Sequence, residues 1–85
     1  MIDVGDIRPV SVAFTDEELV VTLADGRKIA TPLAWYPRLR DAEATTREHF
    51  ELMVMGIHWP DLDEDLSTEG LLRGAPAPKA SVPAR

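Results

Sequence analysis

The chain has no cysteine. No disulfide can brace it, no thiolate can act as a nucleophile, and no cysteine-based zinc site can form. It has only two histidines, His49 and His58, too few for a histidine-rich metal cage. Its three serines, Ser11, Ser67 and Ser81, lie outside any Gly-x-Ser-x-Gly setting. The five glycines form no phosphate-cradling loop. No apolar run approaches the roughly 18 residues of a membrane span. The start, Met1 to Asp6, lacks the positive stretch of a signal peptide. These absences point to a soluble cytoplasmic protein, argue against an enzyme and call for no cofactor.

Positive charge is also scarce. The 85 residues hold 15 acids against 9 lysines and arginines, a net charge of -6. Lys79 and Arg85 fall in the last stretch, so residues 1–74 carry 15 acids and 7 bases, or -8. Such a surface repels nucleic-acid phosphates and attracts a basic partner. The simpler reading of the same charge is solubility.

The first half reads as strands. Val10, Val12 and Phe14 alternate with Ser11, Ala13 and Thr15, and Leu19, Val21 and Leu23 share one face of a second strand. Thr15-Asp16-Glu17-Glu18 matches a helix capping box, but the flanking period of two makes it a turn. Ala24-Asp25-Gly26 is a strong hairpin signal. A two-residue loop would pair Val21 with Ala30. A three-residue loop pairs Val21 with Ile29 and keeps Ile29 on the apolar face, so the three-residue loop is expected. The third strand runs from about Lys28 to Thr31 and ends at Pro32.

The second half reads as helical. A short helix is expected from about Leu33 to Arg40, with its first turn or a break at Pro37. Thr45-Thr46-Arg47-Glu48 is a capping box with Thr45 as N-cap. Leu52 to Met55 fits a buried strand or the end of that helix. Ile57-His58-Trp59 reads as a short extended piece before Pro60. Ser67 is the expected N-cap of a last helix, Thr68 to Arg73, stopped by Gly74. Residues 75–85 hold three prolines and four alanines and are expected to form a flexible tail.

Few motifs suggest chemistry. Asp61, Asp63 and Asp65 have the first spacings of a calcium loop, but Leu66 and Leu72 stand where that loop needs Gly and Glu. An acidic loop capping a helix is the better reading. His58 with Asp61 or Asp63 is the candidate metal or acid–base group, set against a packed histidine between Ile57 and Trp59. Trp35, Tyr36 and Trp59 suit either a partner hot spot or the core of a small domain.

Several strings together resemble a known bacterial family. They are Leu23-Ala24-Asp25-Gly26-Arg27, the block Pro32 to Leu39, Gly56-Ile57-His58-Trp59-Pro60 with Leu62 to Leu66, and Gly70-Leu71-Leu72-Arg73-Gly74. The family is that of domain of unknown function 2442, and the resemblance covers about residues 6 to 74. It implies a small α+β domain, often encoded beside another small protein in an arrangement like a toxin–antitoxin pair. By that resemblance the chain would be the neutralising partner of a small basic protein. It implies no catalytic residues.

The expectation is one α+β domain over residues 1–74. A three- to four-stranded antiparallel sheet should pack with two or three short helices. Val10, Val12, Phe14, Leu19, Val21, Leu23 and Ile29 should form the sheet's buried face. Leu39, Phe50, Leu52, Val54, Leu71 and Leu72 should cover it. The expected partner-binding residues are Trp59, Asp61, Asp63, Glu64 and Asp65, because five acids fall between Asp61 and Glu69 beside an aromatic. The rivals are a metal-binding protein or metal-dependent enzyme using His58, and a homo-oligomer joined through an exposed sheet edge.

Overall fold

The computed structural model describes residues 5–74. The α+β class expected from the sequence is present, but the strands divide into two sheets. β1 (Pro9–Phe14), β2 (Glu18–Leu23) and β3 (Lys28–Pro32) form one antiparallel sheet in that order. β4 (Glu51–Met53), β5 (Gly56–Trp59) and β6 (Glu64–Ser67) form a second. Between the sheets the chain makes a 3-10 turn, Leu33–Trp35, then α1 (Pro37–Arg40) and α2 (Ala44–Arg47). α3 (Thr68–Arg73) closes the described chain. The proposed tail, residues 75–85, lies outside the described residues.

The first sheet follows from its turn chemistry. Val21 pairs with Ile29, as the three-residue loop requires. Gly26 has φ 96°, a conformation that strains any side chain with a Cβ. The Asp25 carboxylate accepts hydrogen bonds from Arg27 N at 3.1 Å and Arg27 Nε at 2.8 Å. At the other hairpin, Thr15 Oγ1 accepts from Glu18 N at 2.9 Å, so that motif makes a turn and starts no helix.

One residue of β1 breaks the alternation. Pro9 pairs with Leu23 but Ser11 pairs with Thr22, so Val10 is the extra residue of a bulge. The bulge turns Pro9 inward and leaves Val10 50% exposed, contrary to its expected core place. Val12 and Phe14 return to the inner face, half-buried.

The first two helices are shorter than their motifs suggest, and the last has its expected bounds. Pro37 is the first residue of α1, where its missing N–H costs nothing. α2 starts at Ala44 after Glu43, and Thr45 makes no cap. Ser67 does cap α3, accepting from Gly70 N at 2.9 Å, and Gly74 ends it at φ 81°.

One core joins the two sheets. Leu19, Val21 and Leu23 of β2 meet Leu33, Tyr36 and Leu39 from the connection, Ile57, Trp59 and Leu66 of the second sheet, and Leu71 of α3. Leu52, Val54 and Leu72, expected inside, are exposed. β4 is an edge strand carrying Leu52 to the rim, Val54 sits in a turn, and Leu72 faces away on the short α3, whose inward residue is Leu71.

Within the second sheet the backbones come very close at Gly56. A Cβ there would lie 2.2 Å from Leu66 O and 3.0 Å from Ser67 Cα, both backbone atoms with little room to move. Gly56→Ala should therefore cost about 1–3 kcal/mol as an overpacking change. Urea unfolding checks this, and an unchanged midpoint would contradict it.

Asp25 gives the first sheet an acid limit. Its carboxyl is held below its ordinary 3.8 first by the side-chain hydrogen bond from Arg27, then by Arg27's backbone N–H. A depressed folded pKa adds stability above the unfolded value and loses it as pH falls through the folded one. Asp25→Asn should reduce the loss of stability below about pH 4 while leaving the neutral range flat. Parallel urea titrations at stepped pH test the difference, and identical acid profiles would refute it.

Candidate functional site

The second sheet carries the acidic segment. In a ladder, residues directly opposite one another project on the same face. Glu51 pairs with His58 and His58 with Asp65, so these three form one row across β4, β5 and β6. Glu51 and Asp65 are exposed and His58 is half-buried between them. His58 Nδ1 lies 2.5 Å from Asp65 Oδ1, a short contact. Ile57, Trp59, Glu64 and Leu66, on the opposite face, turn to the core and are buried.

The structure separates the expected site residues into two groups. Asp61, Asp63 and Asp65 are at the surface. Asp61 Oδ2 lies 3.3 Å from His49 Nδ1. Asp63 adopts φ 51°, a left-handed turn position that aspartate tolerates better than most residues. Trp59 and Glu64 lie beneath them. Trp59 is fully buried, so it offers a partner no surface. Glu64, 6% exposed, faces Arg38, whose Nε is 4.0 Å from Glu64 Oε1.

Two arginines from the helical connection fix this arrangement. Arg38 of α1 donates from Nη1 to Leu62 O at 2.9 Å and Asp63 O at 3.0 Å, clamping the turn that bears the aspartates. Arg47 at the end of α2 donates from Nε to Leu39 O at 2.8 Å and from Nη2 to Arg40 O at 2.7 Å. Its guanidinium also sits 5.3 Å from the centre of the Phe14 ring, a cation–π distance. Its own carbonyl accepts the Trp59 indole N–H at 2.9 Å. Phe14 and Phe50 meet the same indole, with ring centres 6.4 Å and 6.1 Å away.

Buried hydroxyls lie near the site. Burial pushes the Tyr36 phenol above its ordinary 10.0; Thr31 offsets part of the rise and the Glu64 carboxylate adds to it. No hydrogen bond of normal geometry reaches the Tyr36, Thr31 or Thr68 hydroxyl among the described residues.

The two histidines take different carboxylates, His49 with Asp61 and His58 with Asp65. Among the described residues no three His, Asp or Glu side chains converge as metal ligands. An open groove of about 490 Å³ runs between β1 and α2 past Val12, Asp16, Glu48 and Phe50. Its Phe14 and Arg47 are already committed to the Trp59 contacts. No helix among the described residues is long and apolar enough to cross a membrane.

Fixed charge divides sharply along the chain. From residue 48 to residue 72 there are seven carboxylates, Glu48, Glu51, Asp61, Asp63, Glu64, Asp65 and Glu69, and no lysine or arginine. A plain reading of net charge misses this, because Arg38, Arg40 and Arg47 lie just before the stretch. Counting signs by segment would have found it.

The family model described as a protein of unknown function, DUF2442, matches residues 9–77. The chain belongs to that family. This DUF2442 chain is also similar to a crystal structure of a protein of unknown function from Rhodospirillum rubrum ATCC 11170. The two share 27% identity at a TM-score of 0.73, over 91% of this chain and 98% of that one. No curated protein matches the sequence.

If Arg47 is the joint beneath the acidic surface, its removal should be costly. Arg47→Ala should lose about 2–4 kcal/mol, because two carbonyls lose charge-assisted donors and Phe14 loses its cation. Arg47→Lys should recover only part, since one ammonium cannot reproduce the planar fork. Chemical denaturation measures both; a fully stable Lys variant would show that charge alone suffices.

Proposed function

We propose that this chain is a non-catalytic interaction module that offers an acidic surface to a basic protein. The supporting observation is the stretch from residue 48 to residue 72, whose carboxylates have no lysine or arginine among them. Asp61 and Asp63 stand exposed on a turn held by Arg38 and Asp65 on the strand that follows it, so their positions are set before any partner arrives. A pre-positioned field of one sign speeds encounter with a partner of the other sign and selects against like-charged ones. Within this reading the chain neutralises a small basic protein in the manner of an antitoxin.

This reading divides the roles by exposure. Asp61, Asp63 and Asp65 meet the partner, while Trp59 and Glu64 support them from below. Reversal of Glu64 would disturb the fold, so a clean test avoids it.

The test is capture from the native host at low and high salt, comparing the unmodified chain with Asp61→Lys/Asp65→Lys. The expected result is one small basic protein, retained at low salt, weakened by high salt and lost with the reversed charges. Retention that is indifferent to both salt and reversal would overturn the reading.

A further inference from the structure

The β4–β5 hairpin exposes four consecutive large apolar side chains. Leu52 is 42% exposed, Met53 52%, Val54 65% and Met55 60%. Val54 and Met55 form the turn itself, where polar or glycine residues are usual. Neither has a positive φ, so the turn is not one of the primed types that favour glycine and asparagine. A run of this length left in water is unfavourable for solubility and marks an interaction site.

The hairpin is not a loose loop. Gly56 lets β5 lie directly against β6, and Thr68 N donates to Met55 O at 2.9 Å, tying the tip to the start of α3. β4 is the edge of its sheet, with β5 on one side and no paired strand on the other among the described residues. Two of the four side chains are methionines, which adapt to an irregular apolar surface.

Charge decides what covers it. Glu48 and Glu51 stand beside the hairpin in the chain, and Asp65 ends the row that Glu51 begins. A second copy docked here would set carboxylates against carboxylates. A surface with an apolar centre and a rim of lysine or arginine satisfies both features. We propose that the hairpin Leu52–Met55 is the docking element for such a surface. The proposal rests on the acidic-module reading and supplies that module with its apolar contacts.

The probes are three peptides of equal length: one alternating leucine with lysine, one leucine with glutamate, one serine with lysine. Binding is read by fluorescence anisotropy with the full chain and with Val54→Asp/Met55→Asp, circular dichroism confirming its fold. Met55→Ser serves as a milder second variant. The leucine–lysine peptide should bind, and the other two should bind about tenfold more weakly or not at all. The double aspartate variant makes the chain more acidic, so a purely electrostatic site would bind the leucine–lysine peptide more tightly. The hairpin site should bind it about tenfold more weakly, and Met55→Ser should shift it in the same direction. Unchanged or tighter binding by the variants would overturn the hairpin assignment and leave the acidic module standing. No binding of either lysine peptide would remove both. Sedimentation showing dimers of the unmodified chain, made monomeric by the double variant, would mean that a second copy covers the hairpin and would overturn the basic partner.

Discussion

The contact between Arg47 and Trp59 holds the two halves of this molecule in register. The Arg47 carbonyl takes the only hydrogen an indole can donate, inside a core where an unpaired N–H is expensive. The same residue's guanidinium takes the last carbonyls of α1 and covers Phe14 of the first sheet. One side chain and its own backbone therefore touch β1, α1 and β5. Helices of four residues cannot hold themselves together, so their geometry is borrowed from this joint.

That joint explains how the charges come to be divided. Arg38 and Arg47 bond backbone carbonyls, while Arg40 pairs with its neighbour Asp41. The second sheet has no lysine or arginine of its own and takes Arg38 from the helical connection onto its β5–β6 turn. Its outer face keeps Glu51 and Asp65 around His58, its β5–β6 turn keeps Asp61 and Asp63, and its hairpin tip is apolar. The buried Glu64 keeps a cation, Arg38, within ion-pair distance.

Local chemistry was legible wherever one residue decides a conformation. Gly26 must turn left-handed, so the hairpin and its register follow; Ser67 must cap, so the last helix follows. The parts that were not legible depend on distant partners. β6 begins with Glu64, a residue no strand pattern favours, and it is buried because Arg38, far back in the chain, lies beside it. The two central residues of the β4–β5 turn, Val54 and Met55, are neither glycine, asparagine nor proline. Thr45 has the right motif for a cap, yet the cap position falls two residues earlier, at Glu43, in a helix whose Arg47 reaches both Leu39 and Trp59. Of the candidate site, the aspartates and a core place for Trp59 could be read from the sequence, but the burial of Glu64 and the exposure of Leu52–Met55 could not.

The central claim is that the second sheet is the working face and the first sheet is its support. Amide chemical-shift mapping during titration with the leucine–lysine peptide addresses it most directly. The account predicts shifts concentrated at Glu51–Met55, His58 and Asp61–Asp65, with the amides of β2 and β3 unmoved. Shifts centred on the first sheet, with the hairpin and the aspartates silent, would contradict it.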